Sequence, residues 1–296
     1  MNKVSFYDQI ASNKRNSVFL IIFVVGLVVG LLYAIGYIFL PGFALIFLIV
    51  AVVWMGAHVH ISYNYGDSIV LKATNAKPAD PVKHIHLINT VEGLSIAAGI
   101  PAPKVYVVDD PEINAFACGK NPEHASIAVT TGALESLSRT ELEGVVGHEI
   151  SHIKNYDIRF MTLVAVLVGL VAILSYILLR SFLYSSGGGK RDGKAGLLIV
   201  VGLILAIVAP IVSRLVQAMV SRRREFLADA SSVQLTRYPD GLASALTKIR
   251  DKNQGKMKVS ESISHLFISD PNRSSLDALF ATHPPLDKRI EVLKAM

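Results

Sequence analysis

Three stretches of this chain contain no Asp, Glu, Lys or Arg: Asn16 to Gly66, Phe160 to Leu179 and Ala195 to Ser213. A helix needs about 20 mostly apolar residues to cross roughly 30 Å of hydrocarbon. The first stretch is too long for one such helix and long enough for two, and Pro41-Gly42 punctuates it where a tight turn belongs. The pattern predicts four membrane spans, near Ser17–Leu40, Phe43–Tyr63, Phe160–Leu179 and Ala195–Ser213. A soluble core helix rarely runs about 19 residues without a charge, so burial inside a globular domain is set aside.

Elsewhere the pattern is that of a folded polar domain. Pro81–Ile100 predicts a helix, with Gly99 near its end and Pro101 and Pro103 beyond it. Lys104–Val108, Ile113–Gly119 and Ser126–Thr131 predict short strands of a small sheet with an exposed edge. Thr140 with Glu143 three residues later predicts a capping box that opens a helix through about Asn155. The Leu, Val and Ala pattern beyond Arg214 predicts a helix through Ser232, followed by a helical tail broken at Asp270-Pro271 and Pro284-Pro285. An even number of spans puts 64–159 and 214–296 on one side of the membrane, where together they make one domain of ordinary size. The expected organisation is therefore a tail with two spans (1–63), the first domain segment (64–159), two spans around a flexible hairpin (160–213) and the second domain segment (214–296). The fold class is a mainly α membrane protein carrying an α+β domain.

Composition agrees once the two phases are separated. The chain is 52 % hydrophobic and 18 % charged, with a mean hydropathy of +0.47; neither a simple soluble enzyme nor a disordered chain has this profile. The net charge of +6 is local. Lys3, Lys14 and Arg15 precede the first span and Arg214, Arg222, Arg223 and Arg224 follow the fourth, which predicts cytoplasmic termini. The 180–194 hairpin, with Arg180, Lys190, Arg191 and Lys194, runs against that rule. The first apolar run exceeds a signal-peptide core and lacks a small-residue cleavage site, so no cleaved leader is expected. Cys118 is the sole cysteine, consistent with reducing surroundings.

The chemistry concentrates in His148-Glu149-Ile150-Ser151-His152. Histidines at i and i+4 stack on one helical face about 6 Å apart along the axis, within reach of one ion. Zinc favours imidazole nitrogen, a hydrolytic site keeps one position open for water, and Glu149 stands beside it as a proton acceptor. Glu225 is the candidate third ligand, which would complete a His₂Glu set, and Asp229, one turn on, the candidate to hold a ligand histidine by its other ring nitrogen; ion pairing of both with Arg222–Arg224 is the alternative, outweighed by the histidine pair. Two spans separate His152 from Glu225, which returns them to the same membrane face.

Gly147-His148-Glu149-Ile150-Ser151-His152 and Ser221-Arg222-Arg223-Arg224-Glu225-Phe226-Leu227-Ala228-Asp229-Ala230 closely resemble the HtpX family of membrane zinc metalloproteases. Asn114-Ala115-Phe116-Ala117 and Thr282-His283-Pro284-Pro285-Leu286-Asp287-Lys288-Arg289-Ile290 do so as well. The resemblance covers nearly the whole chain and is weakest over the 185–194 hairpin. It implies a zincin-like protease of the bacterial cytoplasmic membrane, its site facing the cytoplasm, related to the CAAX prenyl proteases. It implies one Zn²⁺ held by His148, His152 and Glu225, with Glu149 as general base. It also places Asn114 on a substrate-binding edge strand and His283 near the cleft. The expected partners are the lipid bilayer and damaged or misfolded membrane proteins, bound by strand addition along Ile113–Gly119.

Other signals are set aside. Gly188 to Ala195 nearly matches a phosphate-binding loop, but Ala195 replaces the Ser or Thr that magnesium requires, so no nucleotide is expected. His58/His60 and His84/His86 diverge on a helix and read as interfacial or surface residues. Arg222–Arg224 beside a membrane read as contacts to anionic lipid, with no role for nucleic acid. Asp157, just after the zinc helix, reads as a cap for the following span, with support of a zinc ligand as the alternative. Two other classes remain: a membrane scaffold with a structural zinc, in which Glu149 has no task, and a CAAX-type protease, which would need a longer chain with more spans.

Overall fold

A long helical hairpin opens the chain. In the computed structural model, which describes residues 6–39, 41–185, 222–257, 259–271 and 283–296, α1 (Phe6–Phe39) and α2 (Ala44–Ala73) meet at a turn of 3-10 helix over Pro41–Phe43. The turn falls where Pro41-Gly42 places it. The 30 residues of α2 run about 45 Å, so the helix outreaches the hydrocarbon and carries ten residues past the span expected to end at Tyr63. Its Leu45, Ile46, Ile49, Val50, Val52 and Val53 face outward. Among the described residues, α2 is the helix long and apolar enough to cross a membrane. A third long helix, α6 (Asp157–Ser185), joins the pair; Phe160, Leu163, Val164 and Leu167 pack against Val24, Val28 and Met55. The fourth expected span and the hairpin tip at 186–194 lie outside the described residues.

The polar part is built on a four-stranded sheet ordered β1-β2-β4-β3: β1 (Lys77–Pro78), β2 (Lys104–Val108), β3 (Ala115–Gly119) and β4 (Ala125–Thr130). β2 runs parallel to β4, and β3 antiparallel to it. The three expected strands are present, but the open edge is not. All five residues of β3 are buried, and its outer side pairs with a later segment through an antiparallel bridge between Phe116 and Phe267. The Ile268 N–H donates to Ala115 O at 3.0 Å, and the Gly119 N–H to Thr162 Oγ1 at 3.0 Å. The physical cause is Leu266-Phe267-Ile268, an apolar triplet that buries itself only by lying on the sheet, with the Phe116 and Phe267 rings 4.9 Å apart.

Helices flank the sheet. α3 (Ile85–Ala98) starts later than expected because Asp80 Oδ1 accepts from the Val82 and Lys83 N–H groups and holds Pro81–His84 in a turn. Gly99 ends it in the left-handed region at φ +71°, as glycine permits. After the short α4 (Thr131–Ser136) comes α5 (Arg139–Lys154), buried along nearly its whole length. Its cap is Ser138 with Glu141, not Thr140 with Glu143. Glu141 is fixed from both sides, accepting from the Ser138 N–H and from Lys248 Nζ, each at 2.6 Å, whereas Glu143 turns outward to Arg139.

The C-terminal helices are α7 (Arg222–Thr236), α8 (Pro239–Lys252), α9 (Glu261–Ser264) and α10 (Leu286–Lys294). α7 runs one turn beyond the expected Ser232. Two glycines let these helices close on α5. A Cβ at Gly144 would stand 2.6 Å from the Leu242 nitrogen of α8, and one at Gly147 2.8 Å from Ser232 Oγ of α7. Ser232 Oγ donates to Gly144 O at 2.7 Å and pins the crossing. Val145, Val146, Ile150 and Ile153 of α5 then share a core with Leu87, Val91, Ile127, Val129, Leu246 and Ile249.

Candidate metal centre

Because α5 and α7 pack this closely, side chains on their facing stripes meet in a dry interface. His148 and His152, one turn apart on α5, bring their Nε2 atoms to 3.1 Å with the rings perpendicular. Glu225 projects from α7 between them, with Oε2 3.6 Å from His148 Nε2 and Oε1 3.6 Å from His152 Nε2. The residues are 1 %, 4 % and 0 % exposed, and neither Glu225 oxygen has an aligned hydrogen-bond partner.

These separations fit a metal. Ligands about 2.0–2.1 Å from a tetrahedral ion stand about 3.3 Å from one another, inside the observed range. The electrostatics agree. Burial opposes charge on His148, but Asp229 and Glu225 override it and push its pKa up to about 9. Burial works against the Glu225 carboxylate too, yet His283 and His148 hold it well below the ordinary range. Glu225 therefore stays ionised although buried, the state in which a carboxylate binds a metal. The three residues form a group able to hold a metal ion, and among the described residues no second such group occurs.

Behind each histidine stands an aspartate, and behind each aspartate an arginine. His148 Nδ1 lies 2.9 Å from Asp229 Oδ1, and Arg289 grips that carboxylate with Nη2 at 2.7 Å and Nε at 2.9 Å. His152 Nδ1 lies 3.0 Å from Asp157 Oδ2, with Arg224 Nη1 3.7 Å from the other oxygen. Each aspartate offers an acceptor to an Nδ1–H, which leaves the Nε2 of each ring facing the gap as the atom that would meet a metal.

Glu149 is 1 % exposed next to His148, and burial raises its pKa. His283 reaches the same gap, its Nδ1 2.9 Å from Glu225 Oε2 without hydrogen-bond alignment. Asn114 is placed differently. Its Nδ2 donates to Ser269 O at 2.9 Å and its Oδ1 accepts from the Ser269 N–H at 3.4 Å, so the covering segment occupies the amide expected to meet a peptide.

Two readings change. Asp157 begins α6 but turns its carboxylate back to His152, because Tyr156 takes a left-handed φ of +60° and folds the chain over. Arg224 is 6 % exposed and lies over the Phe160 ring at 5.1 Å, facing the protein and not lipid headgroups. Arg289 stands within the Thr282–Ile290 motif, which by itself assigns it no role. Its signal was present: Leu286, Arg289, Ile290 and Leu293 share one helical face, so a charge sits on the apolar stripe of α10. Replacing Asp157 with Ala should weaken metal affinity about 10–100-fold, measured by competition with a chelator of known affinity.

Residues 81–296 match the profile of Peptidase family M48. Over its full length the chain is 44 % identical to a Protease HtpX homolog from Dictyoglomus thermophilum, covering 96 % of that protein. It is 43 % identical over its full length to a Protease HtpX homolog from Caldanaerobacter subterraneus, and 42 % identical over 98 % of its length to one from Listeria monocytogenes. Among solved structures, the crystal structure of S. mikatae Ste24p superposes with a TM-score of 0.52 at 20 % identity. That match takes in 96 % of this chain and 65 % of the Ste24p chain, and the likeness is one of fold.

Proposed function

Since this chain belongs to peptidase family M48, we propose that it is a membrane-embedded zinc endopeptidase that cleaves damaged or misfolded membrane proteins at the cytoplasmic face of the bacterial inner membrane. The observation that carries the reading is the His148, His152 and Glu225 trio at tetrahedral spacing with Glu149 at its side. Two imidazoles and one carboxylate with a position left open are the donor set of hydrolytic zinc sites, and such an ion supplies a Lewis acid that lowers the pKa of water towards roughly 7. Glu149 takes a proton from the attacking water and returns it to the leaving amine nitrogen. His283 stands where it can donate to the oxyanion that develops on the scissile carbonyl. Asp229 and Asp157 hold the two imidazoles in one tautomer throughout.

The reading as four spans with both termini cytoplasmic is supported by the long apolar helix α2, by α1 and α6 packed beside it, and by the uncharged run at 195–213 in the sequence. A peptide that pairs with β3 must first displace Leu266–Ser269, a step that an already folded client cannot readily drive and an unfolded segment can. In detergent, purified protein should cleave an unfolded membrane-protein substrate, lose that activity on chelation and regain it with zinc but not magnesium. Undiminished cleavage after chelation, with metal content verified as nil, would refute the assignment.

A further inference from the structure

A small cavity of about 40 Å³ lies where the C-terminal half of α2, the first turns of α6 and the turn after β3 meet. By the measure in which one water needs about 10–15 Å³, it holds about three waters or one tetrahedral anion. Ser62 lines it, is 1 % exposed, and has no hydrogen-bond partner for its Oγ. Arg159 lines it as well, and its buried Nε also lacks a hydrogen-bond partner. Two unsatisfied buried donors facing one small cavity call for an acceptor inside it.

Charge narrows the choice. Lys120 adds a second cation to the lining; its Nζ donates to Asn64 Oδ1 at 3.0 Å, which leaves two of its three protons for other acceptors. Lys120 and Arg159 stand 5.7 Å and 5.1 Å from the centre of the same Tyr63 ring. Against these two cations the lining carries one carboxylate, Asp67, so an anion is favoured. Location narrows it further. Ser62 and Tyr63 close the second expected span and Phe160 opens the third, which puts the cavity at the level where aromatic rings and basic side chains meet lipid headgroups. Ile61 and Tyr65 beside it are 46 % and 59 % exposed, an apolar flank along which acyl chains can lie.

We propose that this cavity binds the phosphate of an anionic phospholipid, with Ser62 Oγ, Arg159 Nε and Lys120 Nζ as donors. A lipid held there ties α2 to α6 and to the turn after β3, two residues from the Asp157 that orients His152. The site takes no part in the metal centre, but the proposal rests on the reading of α2 and α6 as membrane spans.

The test uses the full chain in non-ionic detergent, with native mass spectrometry and thermal melting. Phosphatidylglycerol should be retained at one molecule per chain and raise the melting temperature, while phosphatidylcholine does neither. Arg159→Gln should weaken phosphatidylglycerol binding about tenfold or more, and Ser62→Ala, a smaller change that preserves the fold, should weaken it severalfold. Equal retention of the two lipids, or unchanged phosphatidylglycerol binding in Ser62→Ala, overturns the proposal. So does stabilisation by inorganic phosphate that phosphatidylglycerol does not exceed, since the site would then serve free phosphate. Alkaline extraction of cell membranes separates the two readings: release of the chain into the soluble fraction refutes the membrane placement itself, whereas retention with no lipid preference refutes only the lipid site.

Discussion

Glu149→Gln should lower peptide hydrolysis by about 10²–10⁴-fold or more while leaving about one metal ion per chain. The side chain adjoins the ligand trio without belonging to it, so the amide fits the same space and lacks only the ability to accept a proton. Elemental analysis and a cleavage assay on the same preparation check both halves, and full activity in the variant would remove Glu149 from the mechanism. Stability gives an independent reading. Burial raises the Glu149 pKa, so the folded state disfavours its ionised form. For a carboxyl raised on folding, stability is lost as pH climbs from the unfolded value, about 4.3, through the folded one, and the deficit persists above it. Gln carries no such deficit. The metal-free variant should therefore melt above the metal-free parent at neutral pH, and the difference should shrink as pH falls through about 4.

Arg289→Leu should destabilise the protein by about 3–5 kcal/mol and weaken metal binding about 10–100-fold. Arg289 is the largest fully buried side chain among the described residues, and three groups depend on it. Its fork neutralises Asp229 through two bonds, Nη1 donates to Ile268 O at 3.0 Å, and the same nitrogen lies 3.6 Å from Glu225. Its removal strands the Asp229 carboxylate at 1 % exposure and releases the carbonyl that anchors the strand segment over β3. Denaturant melts of the metal-free and metal-loaded forms measure the loss. The double variant Asp229→Asn, Arg289→Leu should recover part of it, because the uncompensated charge is then gone; a double variant no better than the sum of the singles would place the cost elsewhere.

The metal centre was legible where it depends on local periodicity. His148 and His152 show themselves by their i, i+4 spacing, Asp229 by the same spacing from Glu225, and Glu225 by the two expected spans that separate it from His152. Contacts made across the chain were not legible. The partner of Asp157 depends on a left-handed Tyr156, a conformation that a tyrosine does not advertise. The capping box lies two residues earlier than expected because Lys248, from a distant helix, fixes Glu141, while Glu143 pairs with Arg139 on the outer face. The covering of β3 follows from Leu266-Phe267-Ile268, too short a run to show a period of 2 or 3.6. Charge patterning misled for Arg224: three successive arginines read as one basic face, yet a helix turns about 100° per residue, and the third of them points inward.

The division of the ligands between α5 and α7 bears on when the protein can first act. Between His152 and Glu225 the ribosome adds 72 residues, including all of α6, which takes roughly 4–15 s at 5–20 residues per second. Arg289 comes 64 residues after Glu225. Until Glu225 is made, the nascent chain offers the two imidazoles without the carboxylate that completes the trio, so metal capture waits for the later helices to dock. Hydrolysis that depends on the metal can therefore begin only once α7 and α10 have been made and docked, so the growing chain is inactive during its own synthesis.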